Sequence, residues 1–176
     1  MVYAMADVMK EGFGSKRCCA CVPIGNPNEI YKFFQKHPER LERTGLAIGK
    51  DGKPLGFVQI AIYPQHDKDG LHTNKPGETY VGMVGVAAAA RGKGVRKMLL
   101  QWAEDQARAN NGTTLSLTVL NGNPARRLYE RFGFVEVPTD ECEQCITACV
   151  ITIIAGRPYG CCDPHCGGVD MTKRLV

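Results

Sequence analysis

No apolar run in this chain reaches the roughly 18–20 residues that a membrane-spanning helix needs, so no membrane partner is expected. The opening MVYAMADVMKEGFG contains acidic residues and no apolar core of a secretory signal, which sets a cytoplasmic location as the expectation. Charge of one sign is also scarce. The net +4 is small and unclustered, so it favours anionic ligands slightly and gives no footprint for nucleic acid. Internal repeats and low-complexity tracts are missing too. Two nucleotide-binding signatures fail on spacing: Gly92-Lys93-Gly94 lacks the long loop and terminal Lys-Ser/Thr pair of a P-loop, and the third glycine of a dinucleotide fingerprint is replaced by Lys97.

What is present concentrates in Met83–Arg96, MVGVAAAARGKGVR. A β-branched strand over Thr79–Val86 runs through an alanine-rich loop into a glycine turn, and an amphipathic helix follows at once. Such a turn lets backbone N–H groups converge on an anion, and the helix start adds its unpaired donors and positive dipole end. Arg91, Lys93 and Arg96 add three cations at the same spot, which makes a diphosphate the natural guest.

Downstream lies Asn123-Pro124-Ala125-Arg126-Arg127-Leu128-Tyr129-Glu130-Arg131-Phe132-Gly133-Phe134. With Arg91-Gly92-Lys93-Gly94-Val95-Arg96, it resembles the signature of the GNAT superfamily of acyl-CoA-dependent N-acetyltransferases: R-x-x-G-x-[G/A], then N-x-A-x-x-L-Y-E-x-x-G-F. Arg96 departs from the first pattern, which has Gly or Ala there. The resemblance spans about 45–137, and the closing Met171–Leu175 is similar to the family's last strand. It implies an α/β fold with a mixed, mostly antiparallel central sheet, splayed near its middle, and helices on both faces.

The rest of the chain is compatible with one domain. At 176 residues it can bury a single core. Lys16–Val22 reads as a strand, and Asn26-Pro27-Asn28-Glu29 as a helix start with Ile30, Phe33 and Phe34 on one face. A short helical piece is expected at Glu39–Arg43. Gly45–Gly49 and Leu55–Tyr63 read as strands joined around Asp51-Gly52, a strong hairpin signal. Pro64–Gly77 reads as a loop. In the helix after the glycine turn, Val95, Met98, Leu99, Trp102, Ala103 and Ala107 form the apolar stripe, with Lys97, Gln101, Glu104, Asp105 and Arg108 opposite. Trp102 therefore reads as a packing residue. Asn110-Asn111-Gly112 ends that helix, Thr114–Leu120 is a strand, Pro124–Phe132 a short helix, and Phe134–Val137 a strand. A Cys-rich insertion at about 138–168, with a strand at Ile146–Ile154, precedes the final strand Val169–Leu175.

The resemblance also implies chemistry. Backbone around Val84, Gly85 and Val86 would pair with the pantetheine arm of acetyl-CoA, and Arg91, Gly92, Lys93, Gly94, Val95 and Arg96 would hold its diphosphate. Tyr129 matches the tyrosine that protonates the departing thiolate. A phenol with a pKa near 10 stays protonated at neutral pH and is comparable in acidity to an alkyl thiol. Asn123 would help position the arm, with Asn121 as its substitute because the family asparagine often falls at Gly122. For the base, Glu78 and Tyr80 share alternation parity with Val84 and Val86. His66 and His72 lie in the neighbouring loop, histidine being the side chain that titrates near neutrality. A water relay is the remaining route.

Nine cysteines fall in two groups, Cys18, Cys19 and Cys21, then Cys142, Cys145, Cys149, Cys161, Cys162 and Cys166. Cys142-x-x-Cys145 followed by Cys162 and Cys166 approximates two ligand pairs for structural zinc, with Cys161 and His165 alongside. Free thiols and disulfides are the alternatives. The expected function is transfer of an acetyl group from acetyl-CoA to a primary amine by direct attack in a ternary complex, by a monomer or homodimer. A CoA-binding or zinc-binding regulatory domain without turnover is the alternative.

Overall fold

The computed structural model describes residues 38–66, 68–69, 72–138 and 168–175, and positions 7, 8, 32 and 35. Glu39–Glu42 (α1) is the short helical piece expected there. Thr44–Ile48 (β1) and Pro54–Ile62 (β2) form the hairpin around Asp51-Gly52. Its turn is closed by the Gly49 amide on the Lys53 carbonyl at 2.8 Å and the Gly52 amide on the Gly49 carbonyl at 2.9 Å. The stretch expected as a loop contains a small ladder, Lys68–Asp69 (β3) against His72–Thr73 (β4). Two paired residues on each side are too few for an alternation to be read from sequence.

Glu78–Val86 (β5), Thr114–Leu120 (β6), Val135–Glu136 (β7) and Gly168–Arg174 (β8) complete a six-stranded sheet in the order β1-β2-β5-β6-β8-β7. Among the described strands only β5 and β6 run parallel, so the sheet is mixed and mostly antiparallel, as expected. Val95–Ala109 (α2) and Arg126–Phe132 (α3) are the longer helices among the described residues. One face of the sheet carries Val58, Ile60, Val81, Leu115, Leu117 and Met171, which pack with Leu99, Leu100 and Ala103 of α2 and Tyr129 of α3 in one buried cluster. The opposite face carries Gln59, whose side chain is bonded to Arg40 of α1 at 3.2 Å, so helices lie on both faces.

The α2 stripe differs from the sequence pattern at three positions. Met98 is 53% exposed, whereas Leu100 and Glu104 are buried. Leu100, Ala103, Glu104 and Ala107 lie at i, i+3, i+4 and i+7, so the buried arc is rotated toward their side of the helix. Trp102 packs as read. A Cβ on Gly45 of β1 would come within 2.6 Å of its indole, so the bare backbone is what lets the ring lie against the strand. The strand expected at Lys16–Val22, the helix start at 26–29 and the strand at Ile146–Ile154 lie outside the described residues. Among the described residues no helix is long and apolar enough to cross a membrane.

Candidate active site

A single extra residue shapes the centre of the sheet. Ile60 of β2 pairs with Val81 and Gln59 with Met83, so Gly82 is left over as a β-bulge in β5. Such a bulge bends its strand and disrupts the ladder locally. On the other side, β5 pairs with β6 only from Glu78–Thr114 to Val81–Leu117. Beyond that fork, Met83–Val86 continue beside β2 and part from β6. The main chain around Val84, Gly85 and Val86 therefore turns a strand edge without a β6 partner toward the opening, a surface suited to an extended amide-bearing guest.

The bulge also corrects an expectation. Strict alternation would set Glu78 and Tyr80 on the same face as Val84 and Val86, but the additional residue reverses the parity. Val84 and Val86 pack with the α2-side core, together with Val81. Glu78 and Tyr80 stand on the opposite face with Ser116, opposite which Tyr80 is paired.

At the end of β5, Ala88–Ala90 make a 3-10 turn that delivers the chain to the glycines. Gly92 and Gly94 have φ of 74° and 79°, a conformation that favours glycine. A Cβ at either would meet nothing of the protein within 4 Å, so the space in front of this turn is open. Gly94 is the N-cap of α2, with no side-chain cap and no acidic residue in the first turn. The first helical bond is Met98 N–H to the Gly94 carbonyl at 3.1 Å, which leaves the amides of Val95, Arg96 and Lys97 without intrahelical partners. Val95 anchors the turn in the core, while Arg91 and Lys93 are exposed beside it. Arg96 is half-buried, and its Nε is a buried donor without a hydrogen-bond partner among the described residues. Orphan amides, an orphan guanidinium N–H, further cations and open space fit a polyphosphate.

Tyr129 lies on α3, 6% exposed, with its ring edge-on to Phe134 at 6.0 Å between centroids. The turn before α3 is held by Asn123, whose Oδ1 accepts the Ala125 amide at 3.0 Å, while Asn121 Oδ1 accepts the Gly122 amide at 3.0 Å. Both carboxamides are thus engaged in local turns, and Asn123 helps set where Tyr129 begins its helix.

The face away from α2 carries a polar cluster. Glu78 Oε1 is 3.0 Å from His72 Nε2 and also accepts from Ser116 Oγ, and its Oε2 accepts the Lys75 amide at 2.6 Å. Burial pushes the Glu78 carboxyl up, but the bonds from His72, Ser116 and Lys75, with the charge of His72, more than offset it and leave the group below its ordinary value. Tyr80 Oη donates to Thr118 Oγ1 at 3.2 Å, and Thr118 donates to Asp170 Oδ1 at 2.5 Å. His66, the other loop histidine, accepts the Ile62 amide on Nδ1 at 3.2 Å and so closes its own turn. Ser116, Thr118 and Asp170 were not singled out from sequence. Their signal was the alternation of polar Ser116 and Thr118 with Leu115, Leu117 and Val119. Cys142, Cys145, Cys162 and Cys166, read as zinc ligands, lie outside the described residues. Among the described residues no group of three His, Cys, Asp or Glu side chains could hold a metal.

The fold is shared with known transferases. It matches a GCN5-related N-acetyltransferase from Kribbella flavida with a TM-score of 0.64 over 99% of this chain and 92% of that one, at 20% identity. The chain is similar to N-alpha-acetyltransferase 30 of Saccharomyces cerevisiae, 26% identical over 143 residues, which are 78% of this chain and 77% of that protein. It is also similar to streptothricin acetyltransferase of Streptomyces lavendulae, 32% identical over 93 residues, and there it spans 52% of itself and 44% of the relative. Residues 11–134 match the acetyltransferase (GNAT) family, and this chain, an acyltransferase, belongs to it.

Proposed function

We propose that the protein transfers the acetyl group of acetyl-CoA to a primary amine, by direct attack in a ternary complex. The observation that carries this reading is the continuity of the fork with the glycine turn. One strand offers the amide-pairing edge at Val84–Val86 and then leads, within ten residues, to the donors of Arg91–Arg96. An arm with amide groups followed by a diphosphate is complementary to that order. Residues 1–176 are read as one transferase domain, since β8 completes the sheet after the family match ends.

In this proposal Val84, Gly85 and Val86 pair with the arm, while Arg91, Lys93 and Arg96 neutralise the diphosphate at the amides of Gly92, Gly94 and Val95. Asn123 contributes through the turn that starts α3. The amine nitrogen attacks the thioester carbonyl, the C–S bond breaks, and sulfur takes a proton from the Tyr129 hydroxyl. The proton lost by nitrogen leaves on the acceptor side, where Glu78 takes part. No acyl-enzyme is implied, because no cysteine falls within the matched motifs.

The relatives act at an α-amino group and on streptothricin by their names, and both classes belong in the test. Acetyl-CoA is incubated with the protein and a panel of streptothricin, polyamines, amino acids and peptides bearing lysine or a free N-terminus. Mass spectrometry should find one class acetylated, with matching release of CoA. Binding of acetyl-CoA with no acceptor-dependent release of CoA would overturn the reading in favour of a CoA-binding domain.

A further inference from the structure

The Glu78 carboxylate is too committed to meet an incoming amine. It accepts from three donors, His72, Ser116 and the Lys75 amide, and its side chain is 7% exposed. Its partner is better placed. The His72 side chain is 22% exposed, and its ring stacks on that of Tyr80 at 3.9 Å and 10°. Tyr80 in turn reaches Thr118, the first residue of β6 beyond the fork. We infer that His72 Nδ1 is the atom that receives the acceptor's proton, and that Glu78 is the positioning residue that makes it available.

A carboxylate can only accept, so its contact with Nε2 requires the hydrogen there and leaves the lone pair of the neutral ring on Nδ1. Among the described residues nothing bonds Nδ1. The nitrogen of the attacking amine gives one proton to Nδ1 as its bond to the acyl carbon forms. The C–S electrons go to sulfur, which is protonated from Tyr129; the imidazolium then gives its proton to solvent and the Tyr129 phenolate takes one back, so no net proton is released. Glu78 stabilises the imidazolium by charge, as the carboxylate does in a His–Asp pair. Glu78 and Tyr80 of β5 meet this ring directly, and Ser116 and Thr118 of β6 stand behind them, bonded to Glu78 and Tyr80 in turn. Asp170 of β8 follows behind Thr118. This inference rests on the transfer reading above.

Streptothricin and a synthetic peptide with a free α-amino group serve as acceptors, with CoA release followed by chromatography against pH. His72→Ala and His72→Gln should each lower kcat/KM by about 10²-fold or more. Affinity for acetyl-CoA should hold in both, while the melting temperature should fall in the Ala variant, which leaves Glu78 one donor short, and fall less in the Gln variant, which keeps one. The Gln variant can still donate to Glu78 but cannot take a proton, so its recovery to wild-type rate would reduce His72 to a structural role and overturn the inference. Glu78→Gln should lower the rate by about tenfold or more, through loss of the enforced tautomer, and nitrogen-15 spectra of that variant should lose the Nε2–H preference. Nitrogen-15 spectra of the imidazole supply a readout without turnover. The Nε2–H tautomer is expected, and an Nδ1–H tautomer overturns the assignment. If wild type acetylates no member of the acceptor panel, the transfer reading falls and this inference with it. Full activity in His72→Gln removes His72 alone.

Discussion

Lys173 Nζ lies 2.6 Å from Glu104 Oε2 and 4.2 Å from the centre of the Phe132 ring, so one cation on β8 ties α2 to α3. Arg108 completes the cluster, its Nη2 at 2.8 Å from Glu104 Oε1. The members are not equivalent, because Glu104 is buried while Arg108 is 43% exposed. Removing the carboxylate strands the Lys173 charge, and Glu104→Ala should cost about 3 kcal/mol. Arg108→Ala removes a solvent-screened helical pair and should cost roughly 0.3–0.5 kcal/mol. Urea unfolding measures both. Equal costs would show that Glu104 is no more than a surface partner.

The same carboxylate makes the fold sensitive to acid. Burial pushes the Glu104 pKa up, but hydrogen bonds from Lys173 and Arg108, with their charges, outweigh it and leave the group below its ordinary 4.5. A depressed folded pKa means that the unfolded chain binds the proton more readily. The contribution is thus complete above pH 4.5 and lost as pH falls from there through the folded value. Glu78 is shifted in the same direction and adds to the effect. Stability measured against pH should decline below 4.5, and Glu104→Gln should flatten that decline. An unchanged slope in the variant would assign the acid sensitivity to other groups.

Elements carried by long periodic patterns were legible in the sequence, and those carried by single residues were not. Thr114–Leu120 alternates over seven residues, and its strand has those bounds. The glycine turn was legible because its residue types have few other uses at a helix start. Gly82 shows the opposite case. One unpaired residue reverses every side chain on one side of it, and nothing in ETYVGMVGV distinguishes a bulge glycine from a strand glycine. Glu104 was assigned to solvent because helical periodicity knows nothing of Lys173, 69 residues away. His72 was only a loop histidine until the short β3–β4 ladder brought it onto Tyr80 and Glu78.

Diphosphate binding at the glycine turn would have a ligand-dependent signature. Arg91→Ala should weaken CoA by about 1.5–3 kcal/mol through loss of a charge-assisted contact. Its effect on pantetheine, which has no diphosphate, should be small. Calorimetric titration with both ligands separates the cases. Equal losses for the two would remove the diphosphate from Arg91.

Arg96 should act in opposite directions on stability and binding. Its buried Nε has no described partner, and such a donor costs about 1–3 kcal/mol. Arg96→Met keeps an apolar stem and deletes the donor, so the ligand-free protein should melt at a higher temperature while its affinity for CoA falls. A variant that loses stability and keeps affinity would make Arg96 a packing residue.

Tyr129 bears most directly on the chemistry. Its ring is buried in the core cluster and edge-on to Phe134, so Tyr129→Phe keeps the packing and deletes one hydroxyl. If that hydroxyl protonates the departing sulfur, turnover should fall by roughly 10²–10⁴ with little change in affinity for acetyl-CoA. A hydroxyl that merely orients the thioester would instead lower affinity and turnover together. Acyl donors with more acidic thiols divide the two cases further. Their thiolates leave with less need of a proton, so the Phe variant should lose less rate with them than with acetyl-CoA. The ratio of wild-type to variant rate should therefore shrink as the thiol becomes more acidic. A ratio that stays constant along the donor series would exclude proton donation, and wild-type turnover of acetyl-CoA by the Phe variant would take Tyr129 out of the mechanism altogether.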